Sequence, residues 1–354
     1  MFEHLFYPVR MQTFSDLRGE QRQRPGVELP LFEAPAVVRT FDTPEFRDVT
    51  FYEVEAKSIL NRVPAASRMG FEWTINVYRG CSHACSYCFA RPSHTYLNFG
   101  AGRDFERRIV VKVNAPEVLR RELRRPSWSG AHVAMGTNTD PYQRCEGRYR
   151  LTRGVLETLR DYANPCSILT KSPLLLRDVD LFAELADTAG FAANLSIGSL
   201  DEEVWRRTEP GTPHPRARME AVQALNRAGV PCGVLIAPIL PRISDSPAQL
   251  RAVVRAAADA GASHVSPITL HLRPGVKEEF MPWLEREYPE LVAGYRRMYG
   301  GSNAPKSVRE TIGERVQAAK RHHPAAQLAE PITPRLTPVE GRPAEPATQL
   351  SLLD

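Results

Sequence analysis

The 354-residue sequence has no long hydrophobic run. Its most apolar stretch, residues 233–240, contains a proline, whereas a membrane-spanning helix needs about 20 consecutive apolar residues. Residues 1–10 also lack the basic region and apolar core of a secretory signal. We therefore expect a soluble, cytoplasmic protein with no membrane partner.

A large excess of one charge is absent too. The 46 basic and 41 acidic residues leave a formal net charge of +5, which gives no global signal for nucleic-acid binding. Only six of the basic residues are lysines, an arginine bias that codon composition alone can produce. The strongest basic run, residues 120–125, has the spacing of a solvated helix face, and polyanion binding there is the alternative. Nothing in the sequence predicts an oligomeric state.

The composition is that of a globular protein, with 42% hydrophobic and 25% charged residues. From about Phe71 onward, strand-like runs alternate with amphipathic helical segments, and one helix start carries a capping signal at Ser246, Pro247 and Gln249. Helix-ending Ala-Gly pairs precede three of the strands, at Gly190, Gly229 and Gly261. Strands that alternate with helices form parallel sheets, so we predict an α/β fold. We expect a partial (β/α)6 TIM-type barrel with strands over residues 72–78, 132–137, 166–170, 191–197, 230–236 and 263–270.

The two flanking regions differ from this repeat. Residues 1–65 carry scattered apolar positions without a sustained period, so we predict an N-terminal extension that wraps the core. Residues 66–300 hold the repeated units and form the predicted core domain. Residues 301–354 are predicted to contain a short helix over 307–321 and then a proline-rich, disordered tail from about Pro324.

Cysteine is scarce but clustered. The chain has six cysteines, and three of them, Cys81, Cys85 and Cys88, lie within eight residues. In a reducing compartment, clustered cysteines more often bind metal than form disulfides. Their spacing lets three thiolates hold three corners of an iron–sulfur cubane and leaves the fourth iron open. A structural zinc completed by His83 or His94 is the alternative, although zinc motifs usually consist of two separated pairs.

The C-x-x-x-C-x-x-C spacing, with Tyr87 before the last cysteine, resembles the signature of the radical S-adenosylmethionine (SAM) superfamily. The wider run, residues 79–91, is similar to the spore photoproduct lyase-like branch, whose members are often labelled DNA repair photolyases. The resemblance covers roughly residues 66–300 and continues through residues 136–143, 169–172, 177–181, 209–210 and 237–241.

This resemblance implies a [4Fe-4S] cluster held by Cys81, Cys85 and Cys88, with SAM bound to the open iron. It also implies SAM contacts at the carboxyl ends of the barrel strands, where parallel barrels place their chemistry. The implied contacts are Asn138 and Thr139 for the amino group, Lys171 for the carboxylate, Ser196 for the ribose or carboxylate, and Tyr87 for adenine.

The implied activity is that of a radical SAM enzyme. An external electron donor of the flavodoxin or ferredoxin type reduces the cluster, and SAM is cleaved to a 5′-deoxyadenosyl radical that abstracts hydrogen from an unidentified substrate. Nucleic acid is one candidate substrate. Spore photoproduct lyases carry a hydrogen-donating cysteine in the segment that matches residues 137–140, where this sequence has none, so DNA photolesion repair is not predicted. The nearest thiol, Cys145, is the candidate catalytic residue for hydrogen donation or radical quenching.

Two other classes of function stay open at this point. A non-catalytic iron–sulfur redox protein would hold a cluster without binding SAM. A zinc-stabilised nucleic-acid adaptor would hold one zinc and bind nucleic acid in a salt-sensitive way. Among the remaining candidates, Cys166 and Cys232 begin strands at the end opposite the site and are predicted to be small buried hydrophobes, and His271 is predicted to be structural.

Overall fold

The computed structural model of the protein describes residues 21–64, 67 and 69–323. The strands are β1 (Gln21–Val27), β2 (Ala36–Phe41), β3 (Thr50–Val54), β4 (Leu60–Arg62), β5 (Trp73–Ile75), β6 (Tyr78–Arg79), β7 (Arg108–Lys112), β8 (Val133–Met135), β9 (Cys166–Thr170), β10 (Phe191–Ser196), β11 (Cys232–Ile239) and β12 (Val265–Thr269). The helices are α1 (Arg103–Arg107), α2 (Ala115–Leu123), α3 (Glu146–Tyr149), α4 (Leu151–Asp161), α5 (Val179–Thr188), α6 (Glu202–Thr208), α7 (Pro215–Arg227), α8 (Pro247–Asp259), α9 (Lys277–Glu287), α10 (Val292–Met298) and α11 (Lys306–Arg321). Within these described ranges, no helix has the length and apolar character needed to cross a bilayer.

A seven-stranded sheet in the order β12-β11-β10-β9-β8-β5-β4 forms the body of the described chain. Neighbouring strands from β5 to β12 are parallel, whereas β4 pairs antiparallel with β5 at one edge. In the described residues no hydrogen-bonded ladder joins β12 to β4, so the barrel is open on one side. The prediction of an α/β fold built on a partial, six-stranded parallel barrel is confirmed.

The helices between these strands bury the apolar faces that the sequence predicts. α4 turns Leu151, Val155 and Leu159 into the main hydrophobic core, which also contains alternate residues of the parallel strands. α8 begins with the predicted capping box, in which the Ser246 hydroxyl accepts from the backbone N–H of Gln249. The three predicted helix-ending glycines all have a positive φ, which a side chain disfavours; they are Gly190, Gly229 and Gly261.

A second, five-stranded sheet has the order β1-β2-β3-β7-β6. Its fourth strand, β7, comes from inside the predicted core region and runs parallel to β3 and antiparallel to β6. The N-terminal extension therefore has regular structure that its sequence does not reveal, because its short strands depend on pairing with a distant segment. The domain boundaries 1–65, 66–300 and 301–354 stay predictions.

The predicted strand 72–78 is divided between the two sheets. β5 ends at Ile75 in the large sheet, and Tyr78 and Arg79 pair with β7 in the small one. Asn76 lies at this crossing, where its side-chain oxygen accepts from the backbone N–H of Asn138 over 3.0 Å. The loop that carries the clustered cysteines thus begins where the two sheets meet.

The predicted C-terminal helix over residues 307–321 is confirmed as α11. It packs on α8 and buries Ile312, Val316 and Ala319. The predicted disordered tail from Pro324 lies outside the described residues.

Gly136, which follows β8, provides a test of how closely the strand ends approach each other. Its φ of +89° is left-handed, and an added Cβ would lie 1.9 Å from the carbonyl oxygen of Leu169. We expect Gly136→Ala to lower the free energy of unfolding by more than ~3 kcal/mol, because backbone strain and overlap with β9 combine. Urea unfolding measures the change.

Gly229→Ala is the matched control for this experiment. The φ at Gly229 is +78°, but nothing lies within 4 Å of an added Cβ, so backbone strain acts alone. The free energy of unfolding of this variant should fall by only roughly 1–2 kcal/mol. Equal losses in the two variants would contradict the close contact between β9 and the residue that follows β8.

Candidate cofactor site

A cavity of about 250 Å³ opens at the carboxyl ends of the parallel strands. This is the end of a parallel barrel at which loop residues converge. The predicted site residues that line the cavity are Cys81, Cys85, Tyr87, Cys88, Asn138, Thr139, Lys171 and Ser196. The structure therefore brings together every predicted site residue except Cys145. Apolar side chains complete much of the wall, among them Leu169, Pro238, Ile268 and Leu270.

The three clustered cysteines have the surroundings of ligands rather than of free nucleophiles. Cys81 and Cys85 are buried and Cys88 is half-buried, and all are free thiols. Burial raises the pKa of Cys88, raises that of Cys85 to about 12, and raises that of Cys81 well above its usual value. The charges of Asp140 and of the other two thiolates would raise the pKa of Cys81 further. Such thiols need a bound cation to become thiolates together, which is the donor chemistry of a metal site.

The turn after α6 holds the middle of the cysteine loop. The backbone N–H of Ser86 donates to the carbonyl of Thr208, and that of Gly211 donates to the carbonyl of His83, each over 3.0 Å. Gly211 lies so close that an added Cβ would be 2.2 Å from the carbonyl oxygen of Ser82. Only glycine fits between this turn and the cysteine loop without a backbone shift.

The loop after β8 holds the start of the cysteine loop. The carbonyl of Gly80 accepts from the Thr139 hydroxyl over 2.7 Å and from the Gln143 amide over 3.1 Å. The Gln143 side chain also accepts from the backbone N–H of Ser82 over 3.0 Å. The hydroxyl of Thr139, a predicted SAM contact, therefore donates to the protein's own backbone, whereas Asn138 lines the cavity beside it.

Arg91 fixes the loop from the side of the small sheet. Its buried guanidinium donates twice to the carbonyl of Cys85, over 2.9 and 3.2 Å. A contact of 2.5 Å with Glu106 balances its charge. The cysteine loop is thus held by hydrogen bonds on three sides before any ligand binds.

Lys171, which directly follows β9, is the centre of a polar group on the cavity wall. Its ammonium donates to the Ser196 hydroxyl over 2.7 Å, to the Glu209 carboxylate over 3.0 Å and to the Ala237 carbonyl over 3.2 Å. The ammonium also lies 5.5 Å from the centre of the Tyr87 ring. Three predicted site residues, Tyr87, Lys171 and Ser196, therefore meet at one point.

Glu209 is the residue in this group to which the sequence analysis assigned no role. Its carboxylate is buried between Lys171 and Arg218, with Arg218 at 2.5 Å, and it accepts a short hydrogen bond from the Tyr87 hydroxyl. Burial alone would raise its pKa, but the charges of Arg218 and Lys171 together with the Tyr87 hydrogen bond hold it well below its usual value. The Glu-Pro pair is visible in the sequence, but nothing local identifies its partners.

Asp140 makes a second buried polar contact beside the cysteines. Its carboxylate lies 3.3 Å from the His83 ring and accepts from the Thr170 hydroxyl over 2.6 Å and from the backbone N–H of Lys171 over 2.8 Å. Burial alone would raise its pKa, but His83 and these hydrogen bonds lower it below its usual value. Asp140 thus connects the ends of β8 and β9 to the cysteine loop.

Cys145 lies away from the cavity. It is 1% exposed and belongs to the main hydrophobic core, beside α3. Burial, with the nearby Glu146 carboxylate, raises its pKa well above the usual value. Its catalytic role stays a prediction without support from this placement. Cys166 and Cys232 are buried in the core as expected. His271 pairs with Asn303 through a β-bridge and a side-chain contact of 2.9 Å, in keeping with a structural role, and it is also exposed at the cavity rim.

These features define a thiol-lined cofactor cavity at the top of an open parallel barrel. The family model described as the radical SAM superfamily matches residues 75–268, more than half of the chain. The chain therefore belongs to the radical SAM superfamily, whose members use a [4Fe-4S] cluster and SAM.

Two relatives with similar sequences are uncharacterised proteins. An uncharacterised protein of Mycobacterium tuberculosis is 48% identical over 289 residues, which are 81% of this chain and 85% of the relative. An uncharacterised protein of Methanocaldococcus jannaschii is 28% identical over 251 residues, covering 68% of this chain and 85% of the relative.

Solved structures with a similar fold include spore photoproduct lyase. Its complex with a dinucleoside spore photoproduct aligns with a TM-score of 0.57 and 16% identity, over 77% of this chain and 79% of the lyase chain. A variant of that enzyme with bound AdoMet and the dinucleoside aligns with a TM-score of 0.52 and 17% identity, over 72% and 75% of the two chains. At these identities the likeness concerns the fold.

The cavity residues fit the cofactors of the superfamily. Three thiols on one loop line a single cavity, and a lysine stands on its wall as a counter-charge for an anionic group. In the described part of the chain, no three His, Cys, Asp or Glu side chains converge as ligands of one metal ion. The cysteines of a cubane each bind a different iron, so a [4Fe-4S] cluster does not require that convergence.

Gly211→Ala tests the contact between the turn after α6 and the cysteine loop. The added methyl group would displace the backbone at Ser82 and His83, so we expect iron bound per chain after anaerobic reconstitution to fall at least about threefold. Gly147→Ala is the control, because nothing lies within 4 Å of an added Cβ there. Full iron content in the Gly211 variant would show that this contact is not needed to form the site.

Proposed function

We propose that the protein is a radical SAM enzyme in which Cys81, Cys85 and Cys88 hold the [4Fe-4S] cluster and the residues around Lys171 bind SAM. The bound cofactors supply a 5′-deoxyadenosyl radical that abstracts hydrogen from an organic substrate. The observation that carries this proposal is the meeting of the three thiols and the Lys171–Ser196 pair in one cavity. A redox protein that only transfers electrons has no use for such a cavity.

The chain's own residues have distinct tasks in this proposal. Lys171 pairs with the SAM carboxylate, Ser196 and Asn138 supply hydrogen bonds to its polar groups, and Tyr87 lies beside the bound nucleoside. Thr139 acts through the Gly80 carbonyl and orients the cysteine loop. Together these side chains would hold SAM in a single orientation beside the cysteine loop.

The apolar part of the wall excludes water from the cavity. Leu169, Pro238 and Leu270 line it, and the charged groups there are paired with protein partners. In such a water-excluded cavity, the ion pair and hydrogen bonds with which Lys171 and Ser196 would hold SAM are stronger than in water.

The mouth of the cavity is where we propose that the substrate docks. Phe89 and Ile268 line the cavity and are exposed by 49% and 48%, respectively, so the mouth presents apolar surface to a substrate. Spore photoproduct lyase, which shares the fold, binds a dinucleoside. Nucleic acid is therefore the first substrate class to test, with an electron donor of the flavodoxin or ferredoxin type. The six free thiols suit a reducing cytoplasm.

Replacement of a proposed ligand should prevent cluster formation. We expect Cys88→Ala to lose most of the reconstituted iron and the visible absorbance of the cluster, because two remaining thiols cannot hold a cubane. Cys145→Ala is the matched control and should keep both. Iron analysis and absorption spectroscopy after anaerobic reconstitution provide the measurement. Equal iron content in the two variants would refute the ligand assignment.

SAM cleavage separates an enzyme from an electron carrier. We expect the reconstituted, dithionite-reduced protein to form 5′-deoxyadenosine, measured by liquid chromatography with and without DNA or RNA. Stimulation by one nucleic acid would identify the substrate class. A loaded cluster without detectable SAM binding would favour the non-catalytic redox protein instead.

A further inference from the structure

The ammonium of Lys171 has no spare hydrogen-bond donor in this structure. An ammonium group has three N–H bonds, and here they go to Ser196, Glu209 and Ala237. A carboxylate that binds Lys171 must therefore replace one of these acceptors. Which one it replaces depends on the other partners that each acceptor keeps.

The contact with the Ala237 carbonyl is the one that can be exchanged. At 3.2 Å it is the longest of the three, and the same carbonyl also accepts from the Ser196 hydroxyl over 2.7 Å. If Lys171 turns away, the carbonyl keeps its Ser196 donor, so no buried acceptor is left without a partner. Release of Ser196 or Glu209 would break shorter, better placed contacts.

Glu209 cannot be released, because it sits between two cations. Its second oxygen lies 2.5 Å from Arg218, whose side chain is fully buried. The guanidinium of Arg218 also donates to the carbonyls of Ser196 and Pro213, over 3.0 and 2.9 Å. Arg218 thereby fixes the carboxylate, and the carboxylate fixes Lys171. Within this group of three, two cations share one carboxylate, while the Asp140 carboxylate lies on the same cavity and contacts His83.

The same carboxylate is close to the cysteines. Glu209 accepts from Tyr87, which lies between Cys85 and Cys88 in the sequence, and the turn that carries Glu209 bonds to the cysteine loop. The carboxylate therefore places a negative charge beside the cysteine loop, and such a charge would disfavour further negative charge on a cluster held there.

We propose that Glu209 is a positioning residue for Lys171. It accepts one N–H of the ammonium and holds it in place, while the N–H that now donates to the Ala237 carbonyl turns to the carboxylate of SAM. The proposal rests on the proposed function, since it takes SAM as the ligand and the three cysteines as the cluster site. Glu209 also tunes the cluster, because its charge reaches the cysteine loop through the hydrogen bond with Tyr87.

The test compares Glu209→Gln, Lys171→Met and the double variant in the full-length, cluster-loaded protein. SAM affinity is measured by equilibrium dialysis with the cluster oxidised, so that no turnover occurs. Glu203→Gln is the matched control, because this carboxylate lies on the preceding helix, is exposed and pairs with Arg207 on the same helix. We expect Glu209→Gln to weaken SAM binding about tenfold or more, as loss of a charged hydrogen bond does.

Non-additivity shows whether Glu209 acts through Lys171. We expect the double variant to bind SAM no more weakly than Lys171→Met alone, because the carboxylate has nothing left to position. The proposal would be overturned if Glu209→Gln bound SAM within about twofold of wild type. It would also be overturned if the reduction in SAM affinity of the double variant equalled the product of the two single reductions. If loaded wild-type protein does not bind SAM, the proposed function itself fails; if wild type binds and only the variants disagree, this inference alone fails.

The cluster potential gives a readout that a purely structural role would not move. Loss of the negative charge in Glu209→Gln should shift the midpoint potential of the SAM-free cluster to a more positive value, and Glu203→Gln should leave it unchanged. An unshifted potential would remove the tuning role.

Should Glu209→Gln not fold, Glu209→Asp keeps the charge that Arg218 needs but withdraws the oxygen from Lys171. Weaker SAM binding in that variant supports the proposal, and wild-type affinity overturns it.

Discussion

The buried ion network of Glu209, Lys171 and Arg218 is the interaction on which the cavity depends. Its members come from the end of β9, the turn after α6 and helix α7, and through Tyr87 the network also reaches the cysteine loop. Burial of three charges is favourable only when each has a partner, and removal of one member leaves an uncompensated charge at a cost of roughly 3–5 kcal/mol. The network therefore makes the positions of three otherwise separate loops depend on one another, and it does so at the wall where an anionic ligand group would bind.

The sequence predicts the parts of this protein that have local patterns. The six parallel strands and helices α4, α8 and α11 follow from apolar periodicity and capping residues, and the cysteine triplet follows from its spacing. The small sheet does not, because β3 pairs with β7, more than fifty residues further along the chain, and neither strand is distinctive alone. Glu209 is missed for the same reason: its partners lie 38 residues before it and on the following helix, and only the folded chain brings the three charges together.

The cavity lies at the carboxyl ends of the large sheet's strands, and the cysteine loop that closes it starts at the junction of the two sheets. Because β5 ends at Ile75 and the chain pairs again only at Tyr78 in the small sheet, the cysteine loop starts at the junction of the sheets. Arg91 holds this loop against the residues that precede α1. The Gly80 carbonyl joins it to the loop after β8, and Gly211 holds it from the turn after α6. The N-terminal extension thus supports the cysteine loop through β7, although none of its described residues lines the cavity.

The placement of Cys145 limits what the fold resemblance says about the reaction. A thiol that returns hydrogen to a substrate radical must reach the cavity, yet Cys145 lies in the core, and the thiols among the cavity-lining residues are the three proposed cluster ligands. Phe89, the residue directly after that triplet, presents an apolar ring at the mouth instead of a hydrogen donor. A substrate radical at this mouth would therefore be resolved by its own chemistry, by SAM or by an added partner, rather than by a thiol of the cavity wall. The shared fold and cofactors are compatible with a reaction other than lesion repair, and the apolar mouth is the feature that would select its substrate.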